Sequence, residues 1–193
     1  MKKALVTGAT RQVGKAMAVA LSQAGCKTYA LGRDRLVLDE IRADFGIEPL
    51  AIELTERDEL LGLVETMEID TLVHAALRWP PVMEFSPLSE ADIDMALEVN
   101  LSATLHLTRA LLPRMFEQGA GDIVFVVPHP DITHSLIEKL LTGVLRDFAA
   151  LLQSEVSKHG VSVHIVEIKD ASLQDATSDL INRVSKFSGT TKK

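Results

Sequence analysis

An α/β domain built on a doubly wound parallel sheet is the architecture expected of this chain. Short apolar, β-branched runs alternate with amphipathic helical stretches from one end to the other, as in strands joined by crossover helices. The first run passes directly into a glycine-punctuated turn that opens a helix. With 193 residues and 47% hydrophobic content, the chain has material for one sizeable core and little for a second.

Lys3-Ala4-Leu5-Val6 reads as a buried first strand, followed by the turn Thr7-Gly8-Ala9-Thr10-Arg11-Gln12-Val13-Gly14. Val13, Met17, Ala20, Leu21 and Ala24 then recur at helical spacing until Gly25 ends the pattern. Thr28-Tyr29-Ala30-Leu31 is the second strand, 35–45 a helix stopped by Gly46, and Pro49-Leu50-Ala51-Ile52-Glu53 the third strand. A short helix over 56–66 leads to the fourth strand, Thr71-Leu72-Val73-His74, and then to a loop with Trp79-Pro80-Pro81. Ser89 with Asp92 predicts a helix N-cap, and helix continues to about Gln118 with a break near Asn100. Ile123-Val124-Phe125-Val126-Val127 is the fifth strand, 133–158 a long helix and 161–168 the sixth strand. A last amphipathic helix carries Leu173, Leu180, Ile181 and Val184. Residues 1–187 thus form one domain, and 188–193 are expected to be disordered.

Composition narrows the function classes. A net charge of −7 with no basic stripe argues against nonspecific nucleic-acid binding. No apolar run approaches the roughly 20 residues needed to span a membrane, and no secretory leader is expected. The single cysteine, Cys26, excludes an internal disulfide and suits a reducing compartment, so a cytoplasmic location is expected. Cys26 itself reads as a small buried residue.

Strand, glycine turn and helix together form the first half of a dinucleotide-binding unit. Backbone N–H groups at the helix N-terminus would face a pyrophosphate, with the helix dipole favouring its charge. Gly8 and Gly14 supply the backbone freedom and close approach that such a turn needs.

The chain resembles the short-chain dehydrogenase/reductase family over Met1 to about Ile168. Thr7, Gly8 and Gly14 match the family's T-G-x-x-x-G-x-G turn, and Val99-Asn100-Leu101 its V-N-L motif. Leu111-Leu112-Pro113-Arg114-Met115 resembles its L-L-P-x-M, and Gly160-Val161-Ser162-Val163-His164 its G-I-R-V-N. The resemblance implies a single Rossmann-like domain of about six parallel strands with helices on both faces. It also implies an NAD(P) cofactor and an oxidoreductase acting on a small molecule that the sequence leaves unnamed. Asn100 falls on a catalytic position of the family.

The departures concern the chemistry. Gln12 replaces the turn's middle glycine, which places a glutamine where positive φ is expected. The usual N-N-A-G after the fourth strand reads His74-Ala75-Ala76-Leu77, keeping only the small Ala76 beside the cofactor ribose. At the positions of the family's catalytic serine, tyrosine and lysine stand Pro128, His134 and Glu138. The standard proton transfer therefore lacks its phenol, its ammonium and its serine, and His134 is the candidate replacement donor. Two classes stay open: an oxidoreductase with an unusual site, and a cofactor-binding sensor or scaffold without hydride transfer.

For the cofactor, Gly32 stands where NAD-preferring members carry an acid, and Arg33 follows. A missing acid plus Arg33 and Arg11 suits a 2′-phosphate, so NADP is expected over NAD. Gln12 reaches toward the phosphates, and Glu53 matches the acid that faces the adenine. His74, His129, Asp131, His134 and Glu138 all fall at carboxyl ends of strands, with Glu138 expected one helical turn beyond His134 on the same face. They are weighed as a metal or acid–base site and read instead as exposed polar residues, so no metal is assigned. The helices 97–118 and 133–158 match the pair through which many members dimerise. Leu101, Leu105, Leu112 and Phe116 on one, and Leu140, Val144, Phe148, Leu151 and Leu152 on the other, predict a homodimer.

Overall fold

In the computed structural model, which describes residues 1–169 and 173–184, six parallel strands form one sheet in the order β3-β2-β1-β4-β5-β6. The strands are β1 (Lys3–Thr7), β2 (Lys27–Gly32), β3 (Glu48–Ala51), β4 (Thr71–His74), β5 (Gly121–Pro128) and β6 (Val161–Ile168). Between and after them lie α1 (Gln12–Gln23), α2 (Arg35–Phe45), α3 (Arg57–Val64), α4 (Glu90–Leu97), α5 (Ala103–Gln118), α6 (Leu136–Val156) and α7 (Leu173–Val184). The strand order reverses between β1 and β4, the point at which open sheets of this kind leave a crevice for ligands.

Alternation along the strands builds two cores. Ala4 and Val6 of β1 and Val124 and Val126 of β5 face α1, α2 and α7, where Met17, Leu21, Leu38, Ile41 and Leu180 are buried. Leu5 and, on β5, Ile123, Phe125 and Val127 face α3, α5 and α6. Burial on both faces explains why these strands are continuously apolar.

Several boundaries differ from the sequence expectation. β3 ends at Ala51, so Glu53 lies two residues beyond it. The helix expected over 97–118 is interrupted at Glu98–Ser102 by a π-turn, the physical form of the break expected near Asn100. The helix expected over 133–158 starts only at Leu136, because Ser135 caps it by accepting from Glu138 N–H at 3.1 Å. It passes at Ser157–His159 into a single 3-10 turn. The capping box Ser89/Asp92 forms as expected. Leu152, one of the apolar positions read on this helix, belongs to the face that covers the sheet. Cys26 is buried, and burial raises its thiol pKa. Trp79 packs with Ala96, Ile137 and Leu141. Among the described residues no helix is long and apolar enough to cross a membrane. The tail 188–193 lies outside the described residues.

Candidate functional site

The crevice at the carboxyl ends of β1–β4 has a volume of about 550 Å³ and is lined at its base by Gly8, Gly14 and Ala76. That volume falls in the range of about 300–1,000 Å³ usual for small-molecule sites. Gly8 has φ of +66°, and a Cβ there would stand 2.6 Å from the Cα of Ala76. A Cβ on Gly14 would stand 2.3 Å from the carbonyl oxygen of Gly8. The turn, the start of α1 and the exit of β4 therefore touch backbone to backbone. Thr7 fixes that approach, its Oγ1 accepting from Ala75 N–H at 3.1 Å and Ala76 N–H at 3.2 Å.

Gln12 does not take the positive φ expected of it. It is the first residue of α1, with Arg11 as N-cap at φ −121°, so the turn accommodates a side chain there without backbone strain. No side chain caps α1 and no acid lies in its first turn. By contrast Asp34, Ser89 and Ser135 cap α2, α4 and α6. Gln12, Val13 and Gly14, the first turn of α1, line the crevice, and first-turn N–H groups have no partner within their own helix.

Arg11, Arg33 and Arg78 line the same crevice, with Glu53 as the one acid. Arg33 Nη1 donates to Glu53 Oε1 at 3.1 Å, a half-exposed pair of the kind that contributes about 0–1 kcal/mol. Ile52 and Leu54 give the β3 end of the crevice an apolar wall. Arg78 was not anticipated from the sequence. The only signal for it is its place just after the small pair Ala75-Ala76.

Asn100 is 1% exposed and fully engaged by backbone. Its Oδ1 accepts from Arg78 N–H at 2.8 Å, and its Nδ2 donates to Arg78 O at 2.7 Å and to Ala96 O at 2.8 Å. It therefore positions the loop after β4, with both Nδ2 donors committed to backbone carbonyls. The π-turn that carries it is pinned by Arg57, whose Nη2 donates to Glu98 Oε1 at 2.8 Å and Ser102 Oγ at 2.9 Å. The Arg57 hydrogen bond holds the Glu98 carboxyl below its ordinary pKa.

The five-residue polar constellation does not converge. His74 points into the core, its Nε2 2.9 Å from Thr108 Oγ1 and its ring stacked on Phe125 at 5.2 Å. Burial pushes its pKa down to about 3, so it is neutral. His134 precedes α6 rather than lying on it. Its backbone N–H donates to Glu138 Oε2 at 3.1 Å, and its side chain is exposed and away from the crevice. Glu138 closes the cap of α6 and shares no helical face with His134. His129 Nδ1 lies 3.1 Å from Asp131 Oδ2, and its Nε2 3.6 Å from Glu167 Oε2. Arg146 pairs with Glu167 and donates to the carbonyl of Pro128 at 3.1 Å. That bond to Arg146 is the main cause of the lowered Glu167 pKa. Among the described residues no three His, Cys, Asp or Glu side chains come together as a metal site.

The family model for short chain dehydrogenases matches residues 2–129. An uncharacterized short-chain type dehydrogenase/reductase of Sinorhizobium fredii is 39% identical over 134 residues, covering 66% of this chain and 54% of that protein. The chain thus spans about half the length of that relative. A solved short-chain dehydrogenase from Streptomyces avermitilis superposes with a TM-score of 0.78 at 28% identity, covering 86% of this chain and 64% of that one. A metagenomic short-chain oxidoreductase solved in complex with NADP gives a TM-score of 0.83 at 24% identity, covering 94% and 89%.

Proposed function

The chain belongs to the short-chain dehydrogenase/reductase family, and from that premise we propose that it binds NADP in the β1–β4 crevice without running the family's serine–tyrosine–lysine chemistry. The observation that carries the reading is the uncapped N-terminus of α1 opening on a crevice lined by three arginines. Such an arrangement favours a negatively charged ligand. The residues fit a dinucleotide: Gly8 and Gly14 permit close approach of a diphosphate, and Ile52 and Leu54 offer an apolar wall to a base. Arg33 stands at the end of β2, where a 2′-phosphate would displace its weak bond to Glu53.

When bound, a nicotinamide cofactor supplies or accepts hydride. This chain's own contribution would be to hold the adenosine and phosphates. Of the residues at the family's catalytic positions, Pro128 is a strand end, His134 is exposed outside the crevice and Glu138 lies in the first turn of α6, accepting from His134 N–H. No proton donor among the described residues faces the crevice from that side, which favours a cofactor-binding sensor or scaffold over an oxidoreductase. Two copies would associate through α5 and α6.

Titration with NADPH and NADH, followed by nicotinamide fluorescence and melting temperature, tests the reading. NADPH should raise the melting temperature more than NADH. Arg33→Ala should weaken NADPH by about tenfold, one charge-assisted contact, while leaving NADH within about twofold. A protein that responds to neither nucleotide would end the proposal.

A further inference from the structure

Arg57 stands outside the crevice, yet it holds the segment that shapes one of the crevice walls. Its Nη2 donates at once to Glu98 Oε1 at 2.8 Å and to Ser102 Oγ at 2.9 Å. Glu98 and Ser102 are the first and last residues of the π-turn, so one guanidinium spans the turn from end to end. Such turns are rare, and uncommon backbone geometry persists where its surroundings over-determine it. Relaxation to α-helical geometry would rotate the chain before the turn against the chain after it by roughly 100°, one residue's worth.

Asn100, at the centre of the turn, is the residue that such a rotation displaces. Its Oδ1 accepts from Arg78 N–H at 2.8 Å and its Nδ2 donates to Arg78 O at 2.7 Å. Arg78 and Val99 line the β4 end of the crevice, while Arg33, Ile52 and Leu54 line the other end. Two hydrogen-bonded steps therefore lead from Arg57 to the wall, each joining segments distant in the chain. The side chains of Arg57 and Glu98 are 42% and 31% exposed, and a pair so placed contributes little to global stability. Its effect falls on where the wall stands.

We propose that Arg57 is a positioning residue for the β4 wall: by clamping the π-turn it places Asn100, Arg78 and Val99, and through them sets the affinity for the half of a dinucleotide beyond its diphosphate. The proposal rests on the reading that NADP occupies the crevice with its adenosine toward Arg33, Ile52 and Leu54. A dinucleotide laid across the switch point then carries its second nucleoside to the β4 side. Arg57 touches no part of the ligand and acts through the turn alone.

Isothermal titration calorimetry on the full chain compares NADPH with adenosine 2′,5′-bisphosphate, which lacks everything beyond the 5′-phosphate. Arg57→Ala should weaken NADPH by about tenfold and leave the bisphosphate within about twofold of wild type. Arg57→Lys, which keeps a cation beside Glu98, should restore most of the NADPH affinity. Glu98→Ala should repeat the loss, and the two alanine changes together should weaken NADPH no more than either alone, since both break one clamp. Trp79, the chain's one tryptophan, directly follows Arg78, so its emission in the unliganded protein reports the place of the loop. Arg57→Ala should shift that emission to the red while the melting temperature stays within about 4 °C of wild type. NADPH affinity within about twofold of wild type in Arg57→Ala would overturn the proposal while leaving NADP binding intact. So would an equal weakening of both ligands, or an unmoved Trp79 emission. A wild-type protein that does not bind NADPH would end the proposed function, and the positioning role with it.

Discussion

Gly8 carries two constraints that can be separated by experiment. Its φ of +66° costs an L-residue about 1–2 kcal/mol. The 2.6 Å distance from a Cβ to Ala76 Cα adds a backbone clash that no rotamer relieves. Gly46 has a similar φ of +64° and open space around it. Gly8→Ala should therefore destabilise by roughly 2–4 kcal/mol and abolish nucleotide binding, while Gly46→Ala costs about 1 kcal/mol and leaves binding intact. Urea unfolding and calorimetry on the two variants check this.

His74 makes a second prediction at the scale of one side chain. Its pKa is lowered in the fold to about 3, from 6.5. Above 6.5 both folded and unfolded chains hold it neutral, and its contribution is complete. As pH falls through 6.5 only the unfolded chain takes up the proton, so stability is lost progressively down to about pH 3. Between pH 7 and pH 5 the loss is about 2 kcal/mol. Glu98 and Glu167, whose pKa values are lowered by Arg57 and Arg146, lose their contributions only at lower pH. Denaturant midpoints at pH 7 and pH 5 should show this difference in the wild type and not in His74→Gln.

At the scale of elements, the start of α6 decides where His134 stands. Ser135 is the cap, and Ser135→Ala should cost about 1 kcal/mol in chemical unfolding while leaving nucleotide affinity unchanged. Local signals of this kind were readable in the chain: Ser89 with Asp92, Gly46 after α2, and the apolar runs that become β4 and β5. The break at Asn100 was readable too, but not its cause, since the π-turn is pinned by Arg57 from 41 residues away. Likewise Arg146 and Glu167 are 21 residues apart and meet only because α6 packs on β6. Arg78 became visible as a crevice residue only once Asn100 had placed its loop. The start expected at 133 failed because helical periodicity does not distinguish a cap from the first turn. The error carried His134 and Glu138 onto a shared face that they do not have.

At the scale of the molecule, α5 and α6 cover one face of the sheet and leave apolar surface outside it. On α6, Leu140 is 53% and Leu151 71% exposed, and the half-buried Val144 lies on the same side. On α5, Leu105 is 37% exposed, whereas Leu112 and Phe116 are half-buried against the core. The two stripes carry opposite charges among their leucines, Arg109 on α5 and Asp147 on α6. A two-fold axis beside these helices would present each stripe to its own copy and count every contact twice. Full burial of a leucine is worth about 1.5–3 kcal/mol, and those exposed portions, taken from both copies, supply a drive for association of several kcal/mol. Sedimentation equilibrium should therefore give twice the 21.1 kDa chain mass at micromolar concentration. Leu140→Glu combined with Leu151→Glu should return the mass to that of one chain without lowering nucleotide affinity, because the crevice lies at the strand ends and neither leucine lines it. A wild-type protein that sediments as a single chain across that range would rule out the α5–α6 dimer.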